Sequence, residues 1–269
     1  GKAQGLVQIE ELGTLETPIA LTNTMNIGKV HDALVEYMAR QAEAHGVRLR
    51  SVNPIVGECN DSALNEITER VIEKEHVFAA IESAGVDFAL GDVGAGKGTT
   101  CFGLKGGIGS ASRVFEVGKE TYTLGVLVQS NFGEMENLRL DGKPIGRELA
   151  QKLASSEQDK GSIMIVAATD MPVTSRQLQR IIKRAGVGLA RLGSFWGHGS
   201  GDIVIGFSTA QRICSEESSG TIALRALNEE YINIPFSAMA DATEEAVVRS
   251  MMEAGPVGNR HSLAEFVKR

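Results

Sequence analysis

The sequence has no basic cluster, no long apolar run and no cysteine motif, and each absence excludes a class of protein. Its 27 lysine and arginine residues are scattered among 34 acidic ones and the net charge is −7, so no nucleic-acid partner is expected. No apolar run approaches the roughly 20 residues of a membrane span, which excludes a membrane protein of that kind. Cys59, Cys101 and Cys214 form no CxxC pair, which argues against a disulfide framework or a zinc site and favours a cytoplasmic protein.

The composition is that of a soluble globular protein. The chain has 269 residues, of which 42% are hydrophobic and 23% charged, enough for one large domain or two small ones. The first residues read as the interior of a longer chain and lack the basic and apolar halves of a signal peptide. A targeting signal further upstream therefore stays open.

Helices and strands are mixed along the chain rather than strictly alternating, which predicts an α+β fold instead of a doubly wound parallel sheet. Residues 27–44 carry apolar side chains three and four positions apart, the spacing of a helix with one buried face. The other predicted helices are residues 62–84 and 241–254, and the predicted strands include residues 6–12, 19–22, 121–131, 162–169 and 203–209.

The most informative stretch is residues 159–170, where a polar segment ending in Gly161 meets a serine that opens an apolar strand. If the bond before Ser162 is cut, this serine becomes an N-terminal nucleophile whose own α-amino group can take the proton of its hydroxyl. That amine has a pKa of roughly 8, against roughly 10.4 for a lysine. The polar residues 141–160 predict an exposed connector that would suit a processing site. The alternative is that Gly161 and Ser162 only form a turn into a buried strand.

A second group of candidates lies at residues 197–202, which lead into a predicted strand. Alternation in an extended chain would place His198, Ser200 and Asp202 on one side, bringing a base, a hydroxyl and a carboxylate together. The alternative is a loop in which Asp202 accepts backbone N–H groups. The neighbouring Phe195 and Trp196 could line a pocket or pack in the core.

Two further polar residues stand at strand ends. Asn131 can donate a hydrogen bond to a developing oxyanion, although most asparagines in such positions only turn the chain. Glu58 can hold an ammonium group, unless it is an isolated surface glutamate.

The glycine-rich residues 91–98 come close to a phosphate-binding loop in which Lys97 would contact a nucleotide. That motif needs serine or threonine directly after the lysine, where this chain has Gly98, and it needs a helix to follow. A glycine-rich loop packed against other backbone is the preferred interpretation, and nucleotide binding is kept as an alternative.

Five stretches of the sequence are shared with one known family: residues 10–24, 103–109, 125–133, Gly161–Ser162 with the strand that follows, and 199–202. On these residues the chain resembles the D-aminopeptidase and β-peptidyl aminopeptidase family of self-processing hydrolases. The resemblance implies two packed β-sheets between helical layers, as in N-terminal-nucleophile hydrolases. It also implies one catalytic domain, residues 1–269, cut between Gly161 and Ser162 into parts 1–161 and 162–269, and a homo-oligomer of such processed heterodimers. The first strands of that family lie upstream of Gly1.

The resemblance also implies roles for individual residues. The nucleophile corresponds to Ser162, the supporting serine and acid to Ser200 and Asp202, the oxyanion asparagine to Asn131, and the amine-binding glutamate to Glu58. Two positions depart from the family pattern: Asn60 stands where an aromatic hydroxyl is frequent, and His198 where asparagine is common.

The function implied by the resemblance is that of a self-cleaving serine aminopeptidase. It would release N-terminal residues from short peptides, amides or esters through an acyl-enzyme on Ser162, without a cofactor or metal. The alternatives are a non-catalytic assembly protein of the same fold and a nucleotide-binding protein using residues 91–98. Preference among α-, D- and β-amino acids depends on pocket shape, which no motif in the sequence fixes.

Overall fold

The computed structural model describes residues 2–153, 161–214 and 218–267. Its strands are β1 (Ala3–Gln4), β2 (Ile19–Asn23), β3 (Ile55–Cys59), β4 (Thr100–Cys101), β5 (Leu104–Lys105), β6 (Gly107–Val117), β7 (Glu120–Asn131), β8 (Ser162–Thr169) and β9 (Gly201–Ser208). Its α-helices are α1 (Leu6–Leu12), α2 (Ile27–Ala44), α3 (Lys74–Glu82), α4 (Gly146–Leu153), α5 (Ser175–Ile182), α6 (Ala185–Arg191) and α7 (Asn233–Met252).

The strands form two main sheets. In the first sheet the order is β1-β3-β2, with β3 parallel to β2 and antiparallel to β1. In the second the order is β6-β7-β8-β9, antiparallel except for the parallel pair β8–β9. Strands β4 and β5 form a separate short hairpin. Strand β8 is therefore an inner strand, with backbone partners on both sides.

The two sheets pack face to face, and helices cover their outer faces. Ile55 and Cys59 of β3 meet Met164 of β8 and Ile205 of β9 between the sheets. Helices α2 and α3 pack on the other face of the first sheet, and α5, α6 and α7 pack on the other face of the second. The order is helix, sheet, sheet, helix, which confirms the predicted fold.

Alternation along β8 determines which layer each of its side chains reaches. Met164 points between the sheets, whereas Ile163 and Ile165 pack in the helical layer, and all three are completely buried. Because successive side chains of a strand point to opposite faces, Ser162 lies on the same face as Met164, toward the first sheet. The fold thus directs the serine hydroxyl between the two sheets.

The prediction of a helix at residues 27–44 is confirmed with the same bounds, since α2 buries Val30, Ala33 and Leu34. The prediction of a strand at residues 6–12 is wrong, because these residues form α1. Leu6 and Ile9, three positions apart, pack against the inter-sheet cluster, and Gly13 ends the helix in the left-handed conformation.

Three other predicted segments have different bounds. Only Lys74–Glu82 of residues 62–84 is α-helical, because Arg70 adopts a left-handed conformation that interrupts the chain before α3. The last helix begins earlier than expected, at Asn233, since Pro235 lies in its first turn, where proline is tolerated. The predicted connector 141–160 contains α4, and its residues 154–160 lie outside the described part of the chain.

Within the described residues, no helix combines the length and the apolar character needed to cross a membrane.

Gly109 allows helix α7 to pack closely on β6, and this contact gives a test of the fold. A Cβ atom at Gly109 would lie 1.8 Å from the carbonyl oxygen of Ala246, which is backbone that cannot move aside. We expect Gly109→Ala to lower the free energy of unfolding by about 3 kcal/mol, as overpacking does. Urea denaturation monitored by circular dichroism measures this loss.

Gly125 of β7 is the matched control, because a Cβ atom there meets nothing within 4 Å. Gly125→Ala should leave stability unchanged or raise it by up to about 1 kcal/mol. Equal stability of the two variants would contradict the close packing of α7 on β6.

Candidate active site

Ser162 is the first residue of β8 and lies between two strand ends. It is in register with Asn131 of β7 on one side and with Gly201 of β9 on the other. Its side chain is 2% exposed, and its hydroxyl oxygen has no hydrogen-bond partner among the described residues. Most buried polar groups are hydrogen-bonded, so a buried hydroxyl without a partner makes Ser162 a candidate for a reactive group.

Gly161 is held tightly from both sides. Its carbonyl oxygen accepts a hydrogen bond from the backbone N–H of Gly201 at 3.1 Å. A Cβ atom at Gly161 would lie 1.8 Å from the carbonyl oxygen of Asn131, so only glycine fits there. The peptide group before Ser162 therefore has a fixed position, with an N–H donor already directed at its carbonyl.

Asn131 is fixed in orientation by two hydrogen bonds. Its Oδ1 accepts from the backbone N–H of Thr100 at 3.0 Å, and its Nδ2 donates to the carbonyl of Asn60 at 2.9 Å. Directly paired residues of antiparallel strands have Cβ atoms about 5 Å apart, so this amide lies beside Ser162 on the same face of the sheet. A side-chain amide carries two N–H hydrogens, and only one of them is needed by Asn60. The second can be donated to a group bound at Ser162.

Asn60 contributes to this arrangement mainly through its backbone. Its carbonyl holds Asn131, while its exposed side chain accepts a hydrogen bond from the backbone N–H of Ser62 at 3.0 Å. The amide that replaces the family's aromatic hydroxyl is thus engaged locally in this structure.

Glu58 is a buried carboxylate, so the interpretation of an isolated surface glutamate is wrong. The residue is 1% exposed and accepts hydrogen bonds from the hydroxyl of Thr24 and from the backbone N–H of Lys2. Successive side chains of a strand point to opposite faces, and the neighbouring Cys59 faces the second sheet. Glu58 therefore lies on the opposite side of β3. No hydrogen bond joins it to Ser162 or Asn131 among the described contacts.

Cys59 is a residue beside Ser162 whose position sequence analysis missed. Its thiol lies 3.5 Å from the carbonyl oxygen of Gln129 and 3.7 Å from that of Ser162, so its single S–H can donate to either or be shared between them. Burial is the main cause that raises the pKa of Cys59 to about 12. The group therefore stays a neutral thiol at physiological pH and does not compete with Ser162 as a nucleophile.

Ser200 and Asp202 form a pair one strand away from Ser162. The Ser200 hydroxyl donates to Asp202 Oδ1 at 2.7 Å. Asp202 is in register with Ile163, whose side chain packs in the helical layer, so the pair lies on the other face of the sheet from Ser162. The backbone of Gly201 links the pair to the Gly161 carbonyl.

The extended conformation predicted for residues 198–202 is wrong at His198. The backbone N–H of Ser200 bonds to the carbonyl of Gly197 at 2.9 Å, so residues 197–200 form a turn in which extended alternation does not apply. His198 is exposed on that turn. Phe195 and Trp196, 64% and 48% exposed, are not core residues.

The glycine-rich loop lacks the surroundings of a phosphate-binding loop. Gly94–Gly96 form a short 3-10 turn and the chain continues into β4 rather than into a helix, while Lys97 is exposed. The buried lysine of this region is Lys105, which the sequence analysis did not single out. Among the described residues, no three histidine, cysteine or acidic side chains are grouped so that they could hold a metal ion.

A four-layered fold in which an unpartnered serine opens an inner strand beside an amide donor defines a hydrolase of the N-terminal-nucleophile type. The family comparison agrees with this class. The chain belongs to peptidase family S58, whose model matches residues 1–264.

Solved structures and curated proteins support the same class. The chain is similar to the PH0078 protein from Pyrococcus horikoshii OT3, with a TM-score of 0.89 and 46% identity over 98% of this chain and 74% of that one. It is similar to the L-aminopeptidase D-Ala-esterase/amidase from Ochrobactrum anthropi, with a TM-score of 0.88 and 36% identity over 96% and 71% of the two chains. That protein is described as a prototype of the serine aminopeptidases and a variant of the N-terminal-nucleophile hydrolase fold.

A curated relative, the β-peptidyl aminopeptidase BapA of Sphingosinicella microcystinivorans, is 38% identical over 94% of this chain and 67% of its own length. The chain thus spans about two thirds of the length of the curated relatives it matches. The family and these relatives support an aminopeptidase that is a hydrolase.

The burial of Cys59 predicts how the thiols react. We expect a thiol reagent at pH 8 to label Cys214, which is exposed, and to leave Cys59 and Cys101 unmodified until the protein is unfolded. Colorimetric thiol counting with peptide mass mapping measures this. Cys214→Ser should remove the rapid phase and serves as the control. Rapid labelling of Cys59 in the folded protein would contradict its burial and its raised pKa.

Proposed function

We propose that cleavage of the Gly161–Ser162 bond makes Ser162 an N-terminal nucleophile, and that the processed protein is an aminopeptidase acting on short peptides, amides or esters. The observation that carries this proposal is the buried Ser162 hydroxyl, unpartnered and adjacent to the Asn131 amide. The two products would be parts 1–161 and 162–269 of one catalytic domain.

The self-cleavage step requires an attack by the hydroxyl on the preceding carbonyl. A bond forms between Ser162 Oγ and the carbonyl carbon of Gly161 while the C–N bond breaks, and the hydroxyl proton passes to the leaving nitrogen. Water then hydrolyses the ester, which gives a carboxylate on Gly161 and frees the hydroxyl and amine of Ser162. The N–H of Gly201, which donates to this carbonyl, is placed to stabilise the negative charge that develops on its oxygen.

In turnover, the α-amine of Ser162 accepts the hydroxyl proton as the hydroxyl attacks a substrate carbonyl. Asn131 donates its second amide hydrogen to the tetrahedral oxyanion, and the substrate amine leaves with a proton. Ser200 and Asp202 lie on the other face of the sheet in this structure. The resemblance to the family assigns them to orienting the nucleophile and relaying protons in the cut form. Water then releases the acyl group from Ser162.

Glu58 is assigned to the amino group of the substrate. Its carboxylate accepts hydrogen bonds from a backbone N–H and from a hydroxyl group, and a carboxylate binds an ammonium group by a charge-assisted hydrogen bond. Free N-terminal amines are therefore the proposed substrates. The proposed assembly, a homo-oligomer of processed heterodimers, rests on the resemblance to the family.

Replacing the nucleophile tests self-cleavage directly. Ser162→Ala should remain one chain and lack aminopeptidase activity, because both steps need the hydroxyl oxygen. The wild-type protein should give a fragment that begins at Ser162. Mass spectrometry under denaturing conditions measures both.

Ser83→Ala is the matched control, because Ser83 is exposed and distant from Ser162 in the sequence. This variant should be processed normally. Processing that persists in Ser162→Ala would refute the proposed nucleophile. Normal processing without turnover of any aminoacyl amide would instead indicate the non-catalytic assembly protein.

Replacing the carboxylate tests recognition of the amine. Glu58→Gln keeps the shape but removes the charge, so we expect KM for aminoacyl p-nitroanilides to rise about 10-fold or more, the loss of one charge-assisted hydrogen bond of roughly 1.5 to 3 kcal/mol. Steady-state kinetics with free and N-acetylated substrates measure it. The wild-type protein should discriminate against the acetylated compounds and Glu58→Gln should not, whereas equal discrimination by both proteins would exclude Glu58 from amine binding.

A further inference from the structure

Lys105 is a completely buried cation whose hydrogen bonds all go to the backbone. Its ammonium group donates to the carbonyl oxygens of Gly96 at 2.8 Å, Thr99 at 3.1 Å and Gly106 at 2.7 Å. An ammonium group has three N–H donors, so these carbonyls satisfy it completely. A buried charge is tolerated only when it is paired or hydrogen-bonded in this way, and no carboxylate is among its hydrogen-bond partners.

One of these carbonyls belongs to the peptide group that holds Asn131. The carbonyl oxygen of Thr99 and the N–H of Thr100 are two ends of the same peptide unit. The oxygen accepts from Lys105, and the N–H donates to Asn131 Oδ1 at 3.0 Å. The ammonium, the peptide group and the side-chain amide thus form a continuous chain of donors and acceptors that ends at the N–H groups of Asn131 Nδ2.

We propose that Lys105 is a positioning residue that orients and polarises the Asn131 amide through the Thr99–Thr100 peptide group, and so strengthens the oxyanion donor beside Ser162. The proposal rests on the proposed function. A cation on a carbonyl draws electron density from the N–H of the same peptide, and each polarised hydrogen bond strengthens the next by about 10–30%. The polarisation has the direction that catalysis needs, because these hydrogen bonds lead from the positive charge of Lys105 to the place where negative charge develops on the oxyanion.

The surroundings of Lys105 make this effect dependent on pH. Burial lowers the pKa of Lys105 to about 8, while the nearby Asp92 and the thiol of Cys101 act in the opposite direction. Two other titratable residues contact this segment: Arg260 donates to the carbonyl of Gly103, and the carbonyl of His261 accepts the backbone N–H of Lys105. As pH rises through about 8, the Lys105 ammonium loses its proton, and the positive charge that polarises the Thr99–Thr100 peptide group and the Asn131 amide is lost.

The Ser162 α-amine and the Lys105 ammonium should change kcat in opposite directions as pH rises. The pH profile of kcat therefore distinguishes their two roles. Deprotonation of the Ser162 α-amine, with a pKa of roughly 8 when unperturbed, creates the base and raises kcat as pH increases. Deprotonation of Lys105, which occurs over the same pH range, weakens the oxyanion donor and lowers kcat. A lysine that only held the loop together would change stability and give no alkaline decrease in kcat.

Kinetics of Lys105→Met in the full-length processed protein provide the first test. Methionine keeps the length of the side chain and removes the charge. Since loss of a whole oxyanion donor costs about 10²–10³ in rate, a donor weakened by about 10–30% should lower kcat about 2- to 8-fold, with KM within about 2-fold. The alkaline decrease in kcat should be present in the wild-type protein and absent from the variant. An unchanged kcat, or an unchanged alkaline decrease, would overturn the proposal.

Lys97→Met is the matched control, because Lys97 lies in the same loop but is exposed. It should keep the kcat, KM and pH profile of the wild-type protein. A loss of kcat in both variants would assign the effect to disturbance of the loop and would also overturn the proposal.

The second test needs neither a folded Lys105 variant nor activity. Nuclear magnetic resonance of uncut Ser162→Ala protein, which has no α-amine at that position, follows the side-chain amide of Asn131 between pH 7 and 9.5. We expect its nitrogen and proton shifts to titrate with a midpoint of about 8. Shifts that do not change would overturn the proposal, whereas an inactive wild-type protein would refute only the proposed function.

Discussion

The register between β7 and β8 is the constraint on which the site depends. It places Asn131 opposite Ser162, so one amide and one hydroxyl meet at the ends of two paired strands. Because β8 is also bonded to β9, the serine has little freedom to move, and its environment is set by backbone hydrogen bonds rather than by flexible side chains. The packing of the two sheets then closes the space above it, with Met164 and Ile205 against Ile55.

The parts of the fold that follow from local periodicity could be predicted from the sequence. Helix α2 has a stripe of buried side chains, and the strand after Ser162 is apolar at every position up to Ala168. Periodicity alone could not identify helix α1, because a seven-residue segment contains too few turns to separate helical spacing from strand alternation. The glycines on either side of it, Gly5 and Gly13, were the signal that could have decided it.

The site was predictable to the extent that it lies in contiguous motifs. Ser162 and Asn131, which the structure pairs across β7 and β8, were named from such motifs. Glu58 was named in the same way, and its burial distinguishes it from a surface residue. Lys105 could not be found, because its partners are carbonyl groups, which every residue has and no motif records. The extended alternation predicted for His198 does not hold, because a turn hydrogen bond between Gly197 and Ser200 interrupts the extended chain.

Strands β7 and β8 contribute to one hydrophobic cluster, yet they stand on opposite sides of the Gly161–Ser162 junction. If that junction is severed, the core is shared by two separate polypeptides. Unfolding then becomes a dissociation, and recovery of the native state becomes a bimolecular event whose extent depends on protein concentration. The uncut chain would fold once as a single molecule. After the cut, the native state would be kept by slow unfolding, that is, by kinetic stability.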